Sequence, residues 1–213
     1  LRLFKRRSTM RIALRDLQRS ASLPEVCREL SAAADAMIQC GLEIVLNDLT
    51  ERFGRPHTYD ESGRIVSAEI SVLALGKLGG AELNYSSDVD LLFVYSADGE
   101  TSGVAGRPET QISSKEFFTH AAEALARGVG QISREGQVYR VDCRLRPGGR
   151  DGDLVTSLQA ALAYYRTWSR PWERQALIKA RPCAGDPDLG ARFLEESRQI
   201  IYTDPPDPAI IES

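Results

Sequence analysis

No stretch of this sequence approaches the roughly 20 consecutive apolar residues that a bilayer-spanning helix needs. Its first residues, Leu1-Arg2-Leu3-Phe4-Lys5-Arg6-Arg7, are charged where a secretory leader would be apolar. Cysteine is scarce and scattered: Cys27, Cys40, Cys143 and Cys183 form neither a Cys-x-x-Cys pair nor a Cys/His cluster with zinc-like spacing. A reduced, cytoplasmic protein without membrane contact is the expectation. The sequence also lacks a charge excess of one sign, with 27 basic against 30 acidic residues and a net charge of −3. Bulk electrostatics therefore select neither a nucleic acid nor a membrane surface as partner. The two histidines, His57 and His120, lie far apart with no reactive Ser or Cys motif beside them, which removes support for a hydrolase triad. There is no internal repeat, no Walker A loop and no Rossmann fingerprint, because Gly76-Lys77-Leu78-Gly79-Gly80 has the wrong glycine spacing for either nucleotide motif.

What is present is enough apolar content, 42% of 213 residues, to bury one good core. The sequence opens inside a helical pattern without an initiator Met and stops soon after Asp204-Pro205-Pro206-Asp207-Pro208, so a piece of a larger protein is expected. Apolar residues at helical spacing predict two helices between Arg2 and Phe53, the second entered through Ser22 as N-cap with Pro24 behind it. The first carries Arg2, Lys5, Arg6, Arg7, Arg11, Arg15 and Arg19 against a single acid, Asp16, and is read as a solvated face.

Gly54 to Arg64 reads as a loop, Ala68 to Gly76 as a buried strand, and Lys77 to Ser87 as glycine-rich and irregular or briefly helical. Val89 to Tyr95 gives a second strand, Glu100 to Thr110 a surface loop, and Ser113 to Arg127 an amphipathic helix. Val138 to Leu145 alternates like a strand, and Leu158 to Tyr165 and Arg170 to Lys179 look helical. Trp168 and Trp172 are read as core packing rather than as a base-stacking platform. This order describes an α+β fold with a small mixed or antiparallel sheet. It divides into a helical segment over 1–55, a central unit over 56–157, and a helical segment with tail over 158–213.

The chemistry concentrates in the central unit. In Asp88-Val89-Asp90 strand alternation aims both carboxylates one way while Val89 and Leu91 face the other. Two carboxylates so held repel one another unless a cation neutralises them, and a hard divalent ion such as Mg²⁺ suits oxygen ligands. Asp142 shares a predicted strand face with Arg140 and Arg144. Alone it is either a structural salt bridge or the third acid of a metal site with the arginines holding phosphate oxygens; beside Asp88 and Asp90 the metal reading is preferred. Gly79-Gly80 gives backbone amides room to approach an anion, although a double glycine is more often a plain turn, and Ser86 and Ser87 are either phosphate donors or turn caps.

Several ordered blocks resemble those of the glutamine synthetase adenylyltransferase and adenylyl-removing enzymes, within the DNA polymerase β-like nucleotidyltransferase superfamily. They are Leu75-Gly76-Lys77-Leu78-Gly79-Gly80, the run Glu82 to Phe93 containing Asn84-Tyr85-Ser86-Ser87-Asp88-Val89-Asp90, Val141-Asp142-Cys143-Arg144-Leu145-Arg146-Pro147, and Trp172-Glu173-Arg174 through to Arg181. The resemblance extends to Phe4-Lys5-Arg6-Arg7 and Arg11 to Leu17, and so covers nearly the whole chain. It implies a polymerase β-like fold in which Asp88, Asp90 and Asp142 are catalytic and bind Mg²⁺. Gly79, Gly80 and Ser87 would hold phosphates, and Arg144, Arg146 and Lys179 are candidates for incoming phosphate or product.

Enzymes of this kind resemble two transferase units in tandem. One attaches AMP from ATP to a tyrosine of glutamine synthetase; the other removes it by phosphorolysis, yielding ADP. The Asn84-Tyr85-Ser86-Ser87 form and the Trp172-Glu173-Arg174 block are more like the removing unit, whereas Leu154-Val155-Thr156-Ser157 and Ala184-Gly185-Asp186-Pro187 occur in the attaching unit too. The resemblance further implies a PII-type signal protein and glutamine as regulators. Kept beside it are another transferase of the superfamily, such as a uridylyltransferase or a tRNA-end transferase, and a non-catalytic module that binds a signalling protein.

Overall fold

The helical periodicity of the first segment resolves into α1 (Arg2–Leu17) and α2 (Leu23–Phe53). The computed structural model describes residues 1–60 and 62–202; the proline-rich tail from Thr203 onward, to which no role was given, lies outside them. Ser22 caps α2 as its sequence predicts: the Glu25 carboxylate accepts the Ser22 backbone N–H at 2.7 Å, a reciprocal arrangement that occupies an otherwise orphaned donor. Gly54 ends the helix at φ 78°, a conformation open to glycine.

A five-stranded mixed sheet forms the centre. Its members are β3 (Ile70–Leu75), β4 (Val89–Tyr95), β6 (Val141–Asp142), β7 (Val155–Ser157) and β8 (Arg181–Gly185). β3 is antiparallel to both β4 and β8, while β6 and β7 both lie parallel to β4, at its start and its end respectively. Every residue of β3 is buried, because both faces of the sheet are covered. Alternation divides its side chains. Ile70, Val72 and Ala74 join one core with Val89, Leu91, Phe93 and α2, whereas Leu73 and Leu75 join a second with Leu92 and Val94. The first core also takes Phe117, Phe118, Ala121 and Leu125 of α4 (Ser114–Gly130). The second is closed by α5 (Leu158–Thr167) and α7 (Pro187–Ile201). Helices α2 and α4 thus cover one face of the sheet and α5 and α7 the other.

Several sequence expectations are corrected. The Gly54 to Arg64 loop contains β1 (Pro56–Tyr59), which pairs with β2 (Ile65–Ser67) and with β5 (Glu100–Thr101) in a separate three-stranded sheet. Those strands are short and largely polar, so they carry little hydrophobic alternation. β5 likewise interrupts the surface loop expected from Glu100. The helix expected to end at Arg127 continues to Gly130. The helix expected over Arg170 to Lys179 is α6 (Pro171–Ala176), after which the chain turns through Leu177 to Ala180. β8 was not expected, since Pro182 breaks its strand pattern, and α7 was not singled out within the helical segment over 158–213 although Asp186-Pro187 is a helix-start pair.

The strand expected over Val138 to Leu145 is only Val141–Asp142. Its intended face dissolves: Val138 is buried, Arg140 exposed. Asp142 itself ends the pairing, because its carboxylate accepts the backbone N–H of Arg144 at 2.9 Å and bends the chain. Trp168 and Trp172 are not core; they are 75% and 46% exposed.

Candidate functional site

Parallel pairing of β6 with the start of β4 places Asp142 opposite Asp90, and Val141 opposite Val89. Val89 and Val141 turn into the α2–α4 core, so both aspartates point to the other face. There a cleft of about 450 Å³ is lined by Asp90, Asp142, Arg144, Leu145, Gly149, Arg150 and Trp172. Asp88 sits immediately before β4 and accepts a hydrogen bond from Arg140 Nη2 at 2.5 Å.

The electrostatics separate the acids. Asp142 receives the Arg144 guanidinium on both oxygens, and this hydrogen bonding holds its carboxyl below the usual carboxylate range. Asp90 is pushed the other way by burial and then by the charges of Asp142 and Asp88, with Arg144 and Lys77 only partly offsetting them. The strand thus holds a half-buried carboxylate whose negative charge its neighbours do not satisfy.

Gly76 enforces this geometry. Its φ is 53°, and a Cβ there would meet Asp90 Oδ2 at 2.5 Å, so the Asp90 carboxylate lies directly on glycine backbone. Gly76 begins a single helical turn, α3 (Gly76–Gly79), that returns the chain toward β4. Arg181 of β8 braces that turn by donating to Leu78 O at 3.0 Å while gripping Asp35 of α2 at 2.7 and 3.1 Å.

Of the residues singled out in the sequence, Asp90, Asp142 and Arg144 meet in the cleft, and Asp88 stands close enough to raise the Asp90 pKa. The others do not line it. Gly79 is buried against main chain, where a Cβ would meet Lys179 O at 2.3 Å. Gly80 donates its N–H to Gly76 O, and Ser87 Oγ donates to Asn84 Oδ1 at 2.5 Å. Lys179 pairs with Glu82 at 2.8 Å. Arg146 spends its guanidinium on three carbonyls, those of Cys143, Gly152 and Arg150, and so ties together the loop between β6 and β7. Sequence reasoning gave no role to Leu145, Gly149 or Arg150, and read Trp172, which lines the cleft, as core packing. The spacing between block and block gave no sign that the Trp172 and Asp142 segments meet.

A metal can be tested against these residues. Among the described residues no group of three or more His, Cys, Asp or Glu side chains is gathered as a ready metal cage. The neighbouring Asp90 and Asp142 instead suit a hard cation held by one or two carboxylates, with substrate oxygens completing its shell, which is the ordinary habit of Mg²⁺.

Fold and site together define an α+β domain that gathers carboxylates and guanidiniums in a cleft at one edge of a small mixed sheet. The chain belongs to the glutamate-ammonia ligase adenylyltransferase family, whose model matches residues 1–196. It is 43% identical over 204 residues to a bifunctional glutamine synthetase adenylyltransferase/adenylyl-removing enzyme of Pseudomonas aeruginosa, covering 95% of this chain and 20% of that protein. Proteins of the same description from Hahella chejuensis and Nitrosococcus oceani are 40% identical over 202 residues and 42% identical over 213 residues; they too extend far beyond the match, which takes up 20% and 21% of their lengths. The chain therefore spans about a fifth of the length of these curated relatives. Among the described residues no helix is long and apolar enough to cross a membrane.

Proposed function

We propose that this domain is a Mg²⁺-dependent nucleotidyltransferase unit of the polymerase β-like fold that removes AMP from an adenylylated tyrosine of glutamine synthetase, using inorganic phosphate and releasing ADP. The observation that carries the reading is the register of β4 and β6, which sets Asp90 beside Asp142 with Asp88 in electrostatic reach. Family membership supports the substrate. The block forms Asn84-Tyr85-Ser86-Ser87 and Trp172-Glu173-Arg174 support the direction.

When bound, Mg²⁺ would supply charge neutralisation at the oxygens of the phosphorus under attack and at the departing tyrosine oxygen. Asp90 and Asp142 would hold it, joined by Asp88 when its carboxylate leaves the Arg140 guanidinium. Arg144 and Arg150, which line the same cleft, would orient the oxygens of attacking phosphate in line with the leaving group. Gly79, Gly80, Ser87, Arg146 and Lys179 act here by shaping the two loops that flank the acids, with direct phosphate contact reserved for conformations in which Lys179 and Ser87 release Glu82 and Asn84. A PII-type signal protein is the proposed regulatory partner of the longer protein, and the cytoplasm its site of action.

The test is to incubate the chain with Mg²⁺, phosphate and adenylylated glutamine synthetase and measure ADP. ADP release supports removal. AMP transfer from ATP without ADP release reverses the direction. Neither activity in a folded sample, with no Mg²⁺-dependent nucleotide binding, refutes the enzyme reading in favour of a binding module.

A further inference from the structure

The lining of the cleft is of two chemical kinds, the charged Asp90, Asp142, Arg144 and Arg150 and the uncharged Leu145, Gly149 and indole of Trp172. A large aromatic side chain left 46% exposed beside a row of charges covers no core and still is not loose. Trp172 occupies the first turn of α6, and its neighbour Glu173 is 7% exposed with both oxygens engaged. Glu173 accepts the Tyr164 hydroxyl at 2.7 Å and the Arg170 backbone N–H at 2.7 Å, which pins the helix start to α5. On the other side Arg174 Nε donates to Ser169 Oγ at 2.9 Å. The turn that carries the indole is therefore fixed by bonds from Glu173 and Arg174, the two residues after it, to Tyr164, Ser169 and Arg170 before it, so little backbone freedom remains to be lost when a flat ligand lies on it. Trp168, only four positions away in sequence, is 75% exposed and lines no part of this cleft.

We infer that Trp172 is the base platform of the cleft: the adenine of the nucleotide stacks on its indole, while the phosphates extend toward Asp90, Asp142, Arg144 and Arg150. The inference rests on the nucleotide reading above and deepens it by dividing the cleft into a base end and a phosphate end. A cleft of about 450 Å³ is of the size that holds a small ligand of this kind. Stacking recognises the π-face of a base and not its hydrogen-bonding edge, so purines bind here more tightly than pyrimidines in proportion to ring area. Glu173 is a positioning residue that acts through Trp172.

The experiment uses the intact chain carrying Trp168→Phe, so that Trp172 is the sole indole. ADP with Mg²⁺ should quench its fluorescence saturably, and inorganic tripolyphosphate with Mg²⁺ should not. By calorimetry Trp172→Ala should weaken ADP about tenfold, the scale of one base stack, and leave tripolyphosphate unchanged. Trp172→Phe should retain most of the ADP affinity. Equal weakening of both ligands by Trp172→Ala, or unchanged ADP affinity, or no quench at calorimetrically saturating ADP, overturns the platform while leaving the nucleotide reading standing. Failure of the unsubstituted chain to bind any adenine nucleotide with Mg²⁺ overturns both.

Discussion

Gly79→Ala isolates what the double glycine contributes. A Cβ at this buried position would lie 2.3 Å from Lys179 O and 2.7 Å from Ala74 O. Both distances fall roughly an ångström short of van der Waals contact, and both atoms are main chain. One belongs to the end of β3 and the other to the turn after α6, so neither can rotate aside. Relief requires moving α3 away from the sheet edge that carries Asp90. Overpacking of this kind costs about 1–3 kcal/mol. With a urea dependence of about 2 kcal/mol per molar, the unfolding midpoint should fall by on the order of 1 M without a change in slope.

Gly80→Ala is the internal control. Its Cβ would meet Lys179 Cδ at 3.1 Å and the Glu82 carboxyl at 3.2 Å, both far ends of flexible side chains, and its φ of −76° suits any residue. Its effect should stay within about 0.5 kcal/mol. A Gly79→Ala protein as stable as the parent, or a Gly80→Ala protein that loses as much, would refute the claim that close main-chain approach is what requires glycine at 79.

Asp90→Asn should stabilise the fold at neutral pH and abolish turnover. Burial and the neighbouring acids raise the Asp90 pKa above its usual 3.8, so the stability it contributes is complete below the unfolded pKa and is lost as pH rises through the folded one. The variant's advantage in urea should therefore be present at pH 7 and vanish below about pH 3.8, and added Mg²⁺ should reduce it by stabilising the parent alone; an advantage that persists at low pH contradicts the charge argument. Arg146→Lys should leave the global unfolding midpoint nearly unchanged and speed amide exchange over residues 143–152, because a lysine cannot serve the carbonyls of Cys143, Arg150 and Gly152 together. Asp35→Ala should cost about 1–3 kcal/mol by leaving the part-buried Arg181 guanidinium without its carboxylate, read as a lower thermal midpoint.

Much of the site was legible because strand alternation is a local rule. Asp88-Val89-Asp90 announces two carboxylates on one strand face; the buried Val89 and Leu91 fit that for Asp90, whereas Asp88 lies just before β4 and pairs with Arg140. The helix starts were equally local: Ser22 and Ser113 cap the helices that follow them, through Glu25 and the Glu116 N–H. The Val138 to Leu145 segment failed for the opposite reason. Its alternation was real, but the chain there answers to distant groups: Lys5 of α1 donates to Val138 O and sits 4.2 Å from the Tyr139 ring centroid, and Tyr139 donates its N–H to Val129 O. The tryptophans failed likewise, since helical spacing does not reveal which side of a short helix faces a cleft.

The sequence alone determined the family, the α+β class with its two central strands, and the face on which Asp90 lies, because each of these is written in residue types and their spacing. Only the tertiary structure decided which of the family's blocks meet. Parallel pairing of β4 with β6 across a separation of some fifty residues joins Asp90 to Asp142, α6 brings Trp172 to the same cleft, and the turn after α6 presses Lys179 against Gly79. Such encounters depend on how two covering layers close over one sheet, a global packing outcome that no local pattern encodes.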